Sequence, residues 1–201
     1  MRTQIVLASS SRYRQELLGR LGLPFVAIAP EIDETPRSGE SVNAMVARLA
    51  LAKAQALAAS CPEHIIIGSD QAAEFNNSPI GKPGSRTAAL AQLSMMSGKI
   101  IVFHTGLSVL NSGTQQSETV VVRTEVEFRA NPPARIERYL TLEPAFDCAG
   151  SFKSESLGAT LCRRISSDDP TALIGLPLLA LVDLLEGFGV ELPGHLPDFA
   201  Q

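Results

Sequence analysis

Several short polar segments, far apart along the chain, carry the residue types that phosphate chemistry uses. Residues 9–14 read SSSRYR, three hydroxyls followed by Arg12, Tyr13 and Arg14. Residues 30–34 read PEIDE and supply Glu31, Asp33 and Glu34. The run HIIIGSDQ puts Asp70 at the end of a strand-like segment, with Gln71 behind it. Lys53 lies in an Ala-rich stretch, and Lys82 stands between Gly81 and Pro83. A strand that enters a helix through small residues presents the helix's first backbone N–H groups to an anion. Ser9, Ser10 and Ser11 would add hydroxyl donors. Arg14 falls in the first helical turn, where a cation is unfavourable unless an anion binds beside it. Carboxylates such as Asp33, Glu34 and Asp70, with water and substrate phosphates, are how proteins hold Mg²⁺ or Mn²⁺. A lysine fixed by a Gly-Lys-Pro turn suits a point contact to phosphate.

Taken singly, each feature has an ordinary reading: a helix cap, a solvated acid, a helix-surface lysine. Together they are the parts for metal-assisted attack of water on a phosphoanhydride. No G-x-x-x-x-G-K-[ST] loop is present, and no G-x-G-x-x-G follows a strand, so neither a P-loop ATPase nor a dinucleotide-binding fingerprint is supported.

The elements that must position these groups follow from hydrophobic period and punctuation. Strands are expected at 4–8, 25–29 and 64–70, two long paired strands at 99–111 and 115–129, and a short one at 159–163. Helices are expected at 12–21, 42–59, 85–96, 132–142 and 177–187, the second capped by Ser41. Residues 188–201 read as a loose tail. Helices and strands mix throughout, with no repeat or linker, so 201 residues predict a single α/β domain.

Composition narrows the classes. A formal net charge of −4 gives no global field to gather nucleic acid, so any anion site is a local cluster. The apolar runs stop short of the ~18–20 residues a bilayer span needs, and no signal-peptide pattern opens the chain. Cys61, Cys148 and Cys162 are scattered without a C-x-x-C spacing, which argues against a zinc site or a disulfide framework and for a reducing cytoplasm. The sequence leaves oligomeric state open, although the paired strands at 99–129 offer an edge for a homodimer.

LASSSRYRQELL, PEIDE, RLALAKA, GSDQ, GKP, CAGSFKSE and GLP occur in that order. This series resembles the Maf family of nucleoside triphosphate pyrophosphatases, also called septum-formation inhibitors, over roughly residues 4–187. The resemblance implies a mixed twisted sheet flanked by helices, with two lobes and a central cleft, as in inosine triphosphatase-like proteins. It implies hydrolysis between the α- and β-phosphates with a divalent metal, Mg²⁺, Mn²⁺ or Co²⁺. It also points to one branch. Members acting on 7-methyl-GTP carry an aromatic residue in the opening turn, Gln after the strand-end Asp, and Glu in S-F-K-S-E. Here those are Tyr13, Gln71 and Glu155. Members acting on dTTP and UTP carry Arg, Thr and Gln instead. Two positions depart from the family pattern: Arg12, where many members have Pro, and Ser156-Leu157, where Gly often follows the Glu.

The branch has a physical rationale. Methylation at N7 makes guanine cationic, and a cation on the face of Tyr13 is worth about 0.5–2 kcal/mol. Glu155 can accept from N1–H and the 2-amino group, and Gln71 offers a donor and an acceptor to the base edge or sugar. A pyrimidine would face Glu155 with a carbonyl, at about 1–3 kcal/mol per mispaired buried group. The expected division of labour follows. Asp70 is the proton acceptor for the attacking water and, with Asp33 and Glu34, a metal ligand. Ser9, Ser10 and Arg14 grip the triphosphate, and Lys53 and Lys82 offset charge growing in the transition state. The implied role is removal of a damaged nucleotide from the pool. The nearest rival is the same reaction on dTTP or UTP; a rival of another class is a nucleotide-sensing regulator of cell division that does not turn over.

Overall fold

The computed structural model describes residues 4–193. Seven strands form one mixed sheet: β1 (Gln4–Ala8), β2 (Phe25–Ile28), β3 (His64–Phe75), β4 (Ser78–Ile80), β5 (Ile100–Asn111), β6 (Gln116–Phe128) and β7 (Cys162–Ser167). Their order is β2-β1-β3-β5-β6-β7, with β4 folded back on β3. β1 runs parallel to both β2 and β3, and the remaining pairings are antiparallel. Five α-helices flank the sheet: α1 (Arg12–Gly19), α2 (Val42–Ala56), α3 (Arg86–Met96), α4 (Pro133–Leu142) and α5 (Leu178–Gly187). No described helix is long and apolar enough to cross a membrane.

Alternation along the parallel strands sorts the core. Ile5 and Leu7 of β1, with Ile65 and Ile67 of β3, pack with Leu17 and Leu18 of α1 and Leu181, Leu184 and Leu185 of α5. Val6, Ala8 and Ile66 point to the other face and meet Ala54 and Leu57 at the end of α2. A second large core lies at the opposite end of the long strands. There Phe103 and Phe128 pack with α3, α4 and Phe152. Two packing centres thus share one continuous sheet, and a cleft opens between them, lined from both sides by groups such as Ser9 and Phe103.

α2 carries a buried stripe at helical spacing: Val42, Met45, Val46, Leu49, Ala50, Lys53 and Ala54. Its close seat on the sheet requires Gly68, because a Cβ there would stand 2.1 Å from the Ala50 carbonyl oxygen. Ser41 caps the helix as expected, accepting from Ala44 N–H at 3.2 Å.

Four expectations are corrected. Asp70 does not end its strand: β3 continues to Phe75, held by the antiparallel ladder to β5 from Ile65 to Glu74. The short strand expected at 159–163 lies at Cys162–Ser167, because Leu157–Leu161 form a 3-10 turn that buries Leu161 instead. β7 also covers the Thr124–Phe128 part of β6, so the edge expected over 99–129 is half closed. Of the tail expected at 188–201, Phe188, Val190 and Leu192 pack on the α1–α5 core; the part from 194 on lies outside the described residues.

Candidate active site

The parallel ladder ends where Ala8 pairs with Gly68. At that point the chain leaves β1 toward β2 on one side, while β3 leads to β5 on the other. Such a switch in direction leaves a crevice at the carboxyl ends of the strands, the usual ligand position in open α/β sheets. The cleft, about 540 Å³, sits there.

Its floor is the turn from β1 into α1. Ser11 is the N-cap of α1, its hydroxyl 3.5 Å from Arg14 N. Ser9 is buried and accepts from Ser11 N–H at 3.1 Å, which shapes the turn. Ser10 is exposed, with its side chain open to the cleft. Arg12 is the first helical residue, the position where proline is favoured, so the family's proline and this arginine both fit there. Arg14 turns back across the molecule, and its Nε donates to the Gly175 carbonyl at 2.8 Å. Gly175 has φ 125°, and a Cβ there would meet the Arg14 side chain at 3.5 Å. Burial lowers the Arg14 pKa while Asp70 and Glu34 work to raise it; a guanidinium stays charged under these influences.

Successive β3 residues face opposite sides. Asp70 points to α2, where Lys53 Nζ meets Asp70 Oδ1 at 2.6 Å. The same ammonium reaches Glu34 Oε1 at 2.8 Å. Lys53 and Asp70 are both more than nine-tenths buried, and Glu34 forms the exposed rim. Burial pushes the Glu34 pKa up, but Lys53, Lys82 and Arg14 more than offset it, so the carboxyl is held below its ordinary value. The bond from Lys53 takes Oδ1 and leaves Oδ2 as the second oxygen of Asp70. Lys82 is exposed on the cleft wall, its turn tied down by Gly84 N–H donating to Phe146 O at 3.0 Å.

Gln71 faces the opposite side. Its Nε2 donates to Ala172 O at 2.8 Å, Leu173 O at 3.0 Å and Thr105 Oγ1 at 3.0 Å. Three acceptors around one nitrogen fix the amide's orientation. The donor end is spent on the protein, and only Oε1 remains for a ligand. Tyr13, half-buried, and Glu155, exposed, stand on the cleft beside Asp147, Cys148 and Phe152. Burial pushes the Tyr13 phenol up, opposed by Lys153, and pushes the Cys148 thiol up to about 12, with Asp147 adding to it.

The structure thus brings Ser9, Ser10, Arg14, Glu34, Lys53, Gln71, Lys82, Tyr13 and Glu155 to one cleft, with Asp70 behind its wall, paired with Lys53. It does not bring Asp33 there. Asp33 Oδ1 accepts from Thr35 N–H at 2.9 Å, and its neighbouring charges are Arg48 and Arg37. Among the described residues no three His, Cys, Asp or Glu side chains stand together as a metal-ligating group, so Asp33, Glu34 and Asp70 do not form one. An Asp followed two residues later by Thr is an Asx-turn signal that could have separated the two acids.

Sequence reasoning missed Arg48, Lys153 and Gly175. Arg48 donates to Glu40 through Nε at 2.6 Å and Nη2 at 2.8 Å, and its Nη2 also reaches Thr35 O at 3.3 Å. It latches the loop bearing Glu34 onto α2.

Fold and site define a mixed α/β protein with a cleft lined by hydroxyl and cationic groups at the carboxyl ends of its parallel strands. The Maf-like protein family matches residues 4–188, and the chain belongs to that family. A Xanthomonas oryzae protein named 7-methyl-GTP pyrophosphatase is 50% identical over 96% of this chain and 100% of its own length. Proteins of the same name from Thiobacillus denitrificans and Pseudomonas aeruginosa are 51% and 48% identical, over 93% and 94% of this chain and 93% and 98% of theirs. The Ham1 protein of Staphylococcus aureus superposes with a TM-score of 0.53 over 92% of this chain and 100% of that one, at 16% identity; that likeness concerns the fold alone.

Proposed function

We propose that the chain hydrolyses the α–β phosphoanhydride of 7-methyl-GTP, releasing 7-methyl-GMP and pyrophosphate. The observation that carries this reading is the buried Lys53–Asp70 pair at 2.6 Å, with Glu34 on the same ammonium, set beside the serine turn and Arg14. Relatives at about half identity bear the name of that activity.

The triphosphate lies along the N-terminus of α1, where backbone N–H groups, the Ser10 hydroxyl and the free nitrogens of Arg14 receive it. Asp70 Oδ2, the oxygen not taken by Lys53, accepts the proton of the attacking water. Lys53 holds Asp70 through Oδ1 and sets a positive charge beside the reacting phosphorus. Lys82 offsets charge on the departing pyrophosphate. At the base end, Tyr13 stacks on the cationic ring and Glu155 accepts from N1–H and the 2-amino group. Gln71 contributes its carbonyl oxygen.

Glu34 Oε1 and Asp70 Oδ1 both pair with the Lys53 ammonium, which brings the two carboxylates together, and Mg²⁺, Mn²⁺ or Co²⁺ is commonly held by one or two carboxylates plus substrate phosphates. The residues therefore fit such an ion, with Glu34 and Asp70 as its protein ligands. Bound there, it would supply charge neutralisation on the phosphoanhydride oxygens. The setting we infer is cytoplasmic, consistent with three free cysteines.

The test is hydrolysis of 7-methyl-GTP, GTP, UTP and dTTP side by side, with pyrophosphate identified as product. The fastest rate is expected for 7-methyl-GTP, then GTP, with both pyrimidines far behind. Faster turnover of UTP or dTTP overturns the base assignment. Tight nucleotide binding without pyrophosphate release overturns the reaction. Dialysis against a chelator should abolish turnover, and added Mg²⁺ or Mn²⁺ should restore it.

A further inference from the structure

The Lys153 ammonium stands over the Tyr13 ring, 5.4 Å from its centroid. That is within the range at which a cation is attracted to an aromatic face. The ring to which the proposed function gives a cationic base therefore already has a cation of its own.

The backbone of Lys153 is fixed. Its N–H donates to the Tyr139 hydroxyl at 3.0 Å, and Tyr139 is buried. The preceding residue, Phe152, is locked edge-on against Phe103 and Phe128, at 5.5 and 5.2 Å between centroids. Only the side chain can move, and it is half-buried beside the cleft. Asp147 and Cys148 lie near the same ammonium.

One face of a ring holds one cation. A base that stacks on the face of Tyr13 held by Lys153 displaces the ammonium, and the displaced group stays tethered within a side-chain length. A neutral purine then meets a nearby charge with little penalty. A 7-methylated purine meets a like charge. We propose that Lys153 is a specificity-determining residue: it occupies the cation seat on Tyr13 when no base is bound and limits the preference for a cationic over a neutral purine. This rests on the reading of 7-methyl-GTP as substrate.

The test compares kcat/KM for 7-methyl-GTP and GTP in Lys153→Met, which keeps the stem and removes the charge, and in Lys153→Arg, which keeps both charge and stacking. Lys153→Met should raise the ratio of 7-methyl-GTP to GTP by about two- to five-fold, the weight of one exposed cation–π contact. Lys153→Arg should keep the wild-type ratio. Lys153→Gln repeats the neutral substitution should the Met variant fold poorly. An unchanged or lowered ratio in the neutral variants overturns the proposal; equal rises in KM for both nucleotides would make Lys153 a phosphate ligand instead.

A phosphate-free arm separates this idea from the reaction. Calorimetric binding of 7-methylguanosine should tighten in Lys153→Met by a similar factor relative to guanosine. If wild type does not hydrolyse 7-methyl-GTP yet this selective tightening is seen, the proposed reaction fails and the seat stands. If hydrolysis is confirmed and the selective tightening is absent, the seat fails and the reaction stands.

Discussion

The two walls of the cleft are built by different means. The phosphate wall is made of a strand, two helices and the turn between β1 and α1. Its charged groups are fixed more than once: Arg14 by Gly175, and Lys53 by both Asp70 and Glu34. The Glu34 loop is clamped in turn by Arg48. The base wall, apart from Tyr13 and Gln71, is the irregular segment from Asp147 to Leu157. That segment is held by Phe152, packed on Phe103 and Phe128, and by side-chain bonds from Ser151 to Gln92, Tyr139 to Lys153, and Glu143 to Ser156 and to Gly158 just beyond it. Groups that move protons and bear charge need positions held to a fraction of an ångström. Groups that choose a base need shape and hydrogen-bonding sense, which a loop can change without disturbing the sheet. On this division, damage to the first wall removes turnover, and damage to the second redirects it.

The largest effect tests the first half of that statement. Asp70→Asn should lower kcat by about 10²–10⁴-fold, the usual weight of a positioned general base. Nucleotide binding, followed by calorimetry, should persist, because the α1 turn and Arg14 are untouched. A loss of kcat below tenfold would remove Asp70 from the role of proton acceptor.

Next comes Glu155→Gln on the other wall. One acceptor becomes a donor facing a donor-rich base edge, a mismatch of about 1–3 kcal/mol. The preference for 7-methyl-GTP over UTP should shrink by about 10- to 100-fold, read as the ratio of kcat/KM values. An equal fall for both nucleotides would mean that Glu155 serves the chemistry, and the division between the walls would break.

A smaller effect is expected at the Arg48 latch, and it is pH-dependent. Arg48 pulls the Glu40 carboxyl down to about 2 from an ordinary 4.5. A group with a depressed folded pKa stabilises fully above its ordinary value and loses that contribution as pH falls through the folded one. Thermal melts should therefore lose midpoint temperature between about pH 4.5 and 2 in wild type, and part of that slope should vanish in Arg48→Ala. If the slope is the same in both proteins, the latch contributes nothing to the rigidity of the phosphate wall.

The unequal construction also explains what could be read in the sequence. The parallel strands, all five helices and the Ser41 cap follow a strong hydrophobic period or a capping signal, and they were legible. The far half of β3 was not. Gln71 and Glu74 fall beyond the strand expected at 64–70, and only the ladder to β5, distant in sequence, makes them strand. β7 reads CRRISS, mostly exposed, with no alternation to betray an edge strand. Within the site, the serines, Arg14, Lys82 and Asp70 were legible as types. Their partners were not, because Arg14 meets Gly175 across 161 positions of chain. Lys53 was named for the site, but its pairing was not: it falls on the buried stripe of α2, and a lysine at such a position demands a carboxylate partner.

The smallest effect bears on how far apart the walls are in energy. Tyr139→Phe removes one hydrogen bond, that to the Lys153 N–H, and nothing on the phosphate wall. The tyrosine hydroxyl is kept neutral by burial, which pushes its pKa well above the phenolic range, so the bond persists across the working pH range. A single bond of this kind is worth about 0.5–1.5 kcal/mol. KM for 7-methyl-GTP should rise by about two- to ten-fold while kcat stays within about twofold. A fall in kcat with KM unchanged would show that the loop at Lys153 is felt at Asp70 across the cleft. The walls would then form one mechanical unit, and changes in base preference could not arise without cost to the chemistry. An effect confined to KM fits a rigid catalytic wall facing an adjustable one, held to each other only through the nucleotide between them.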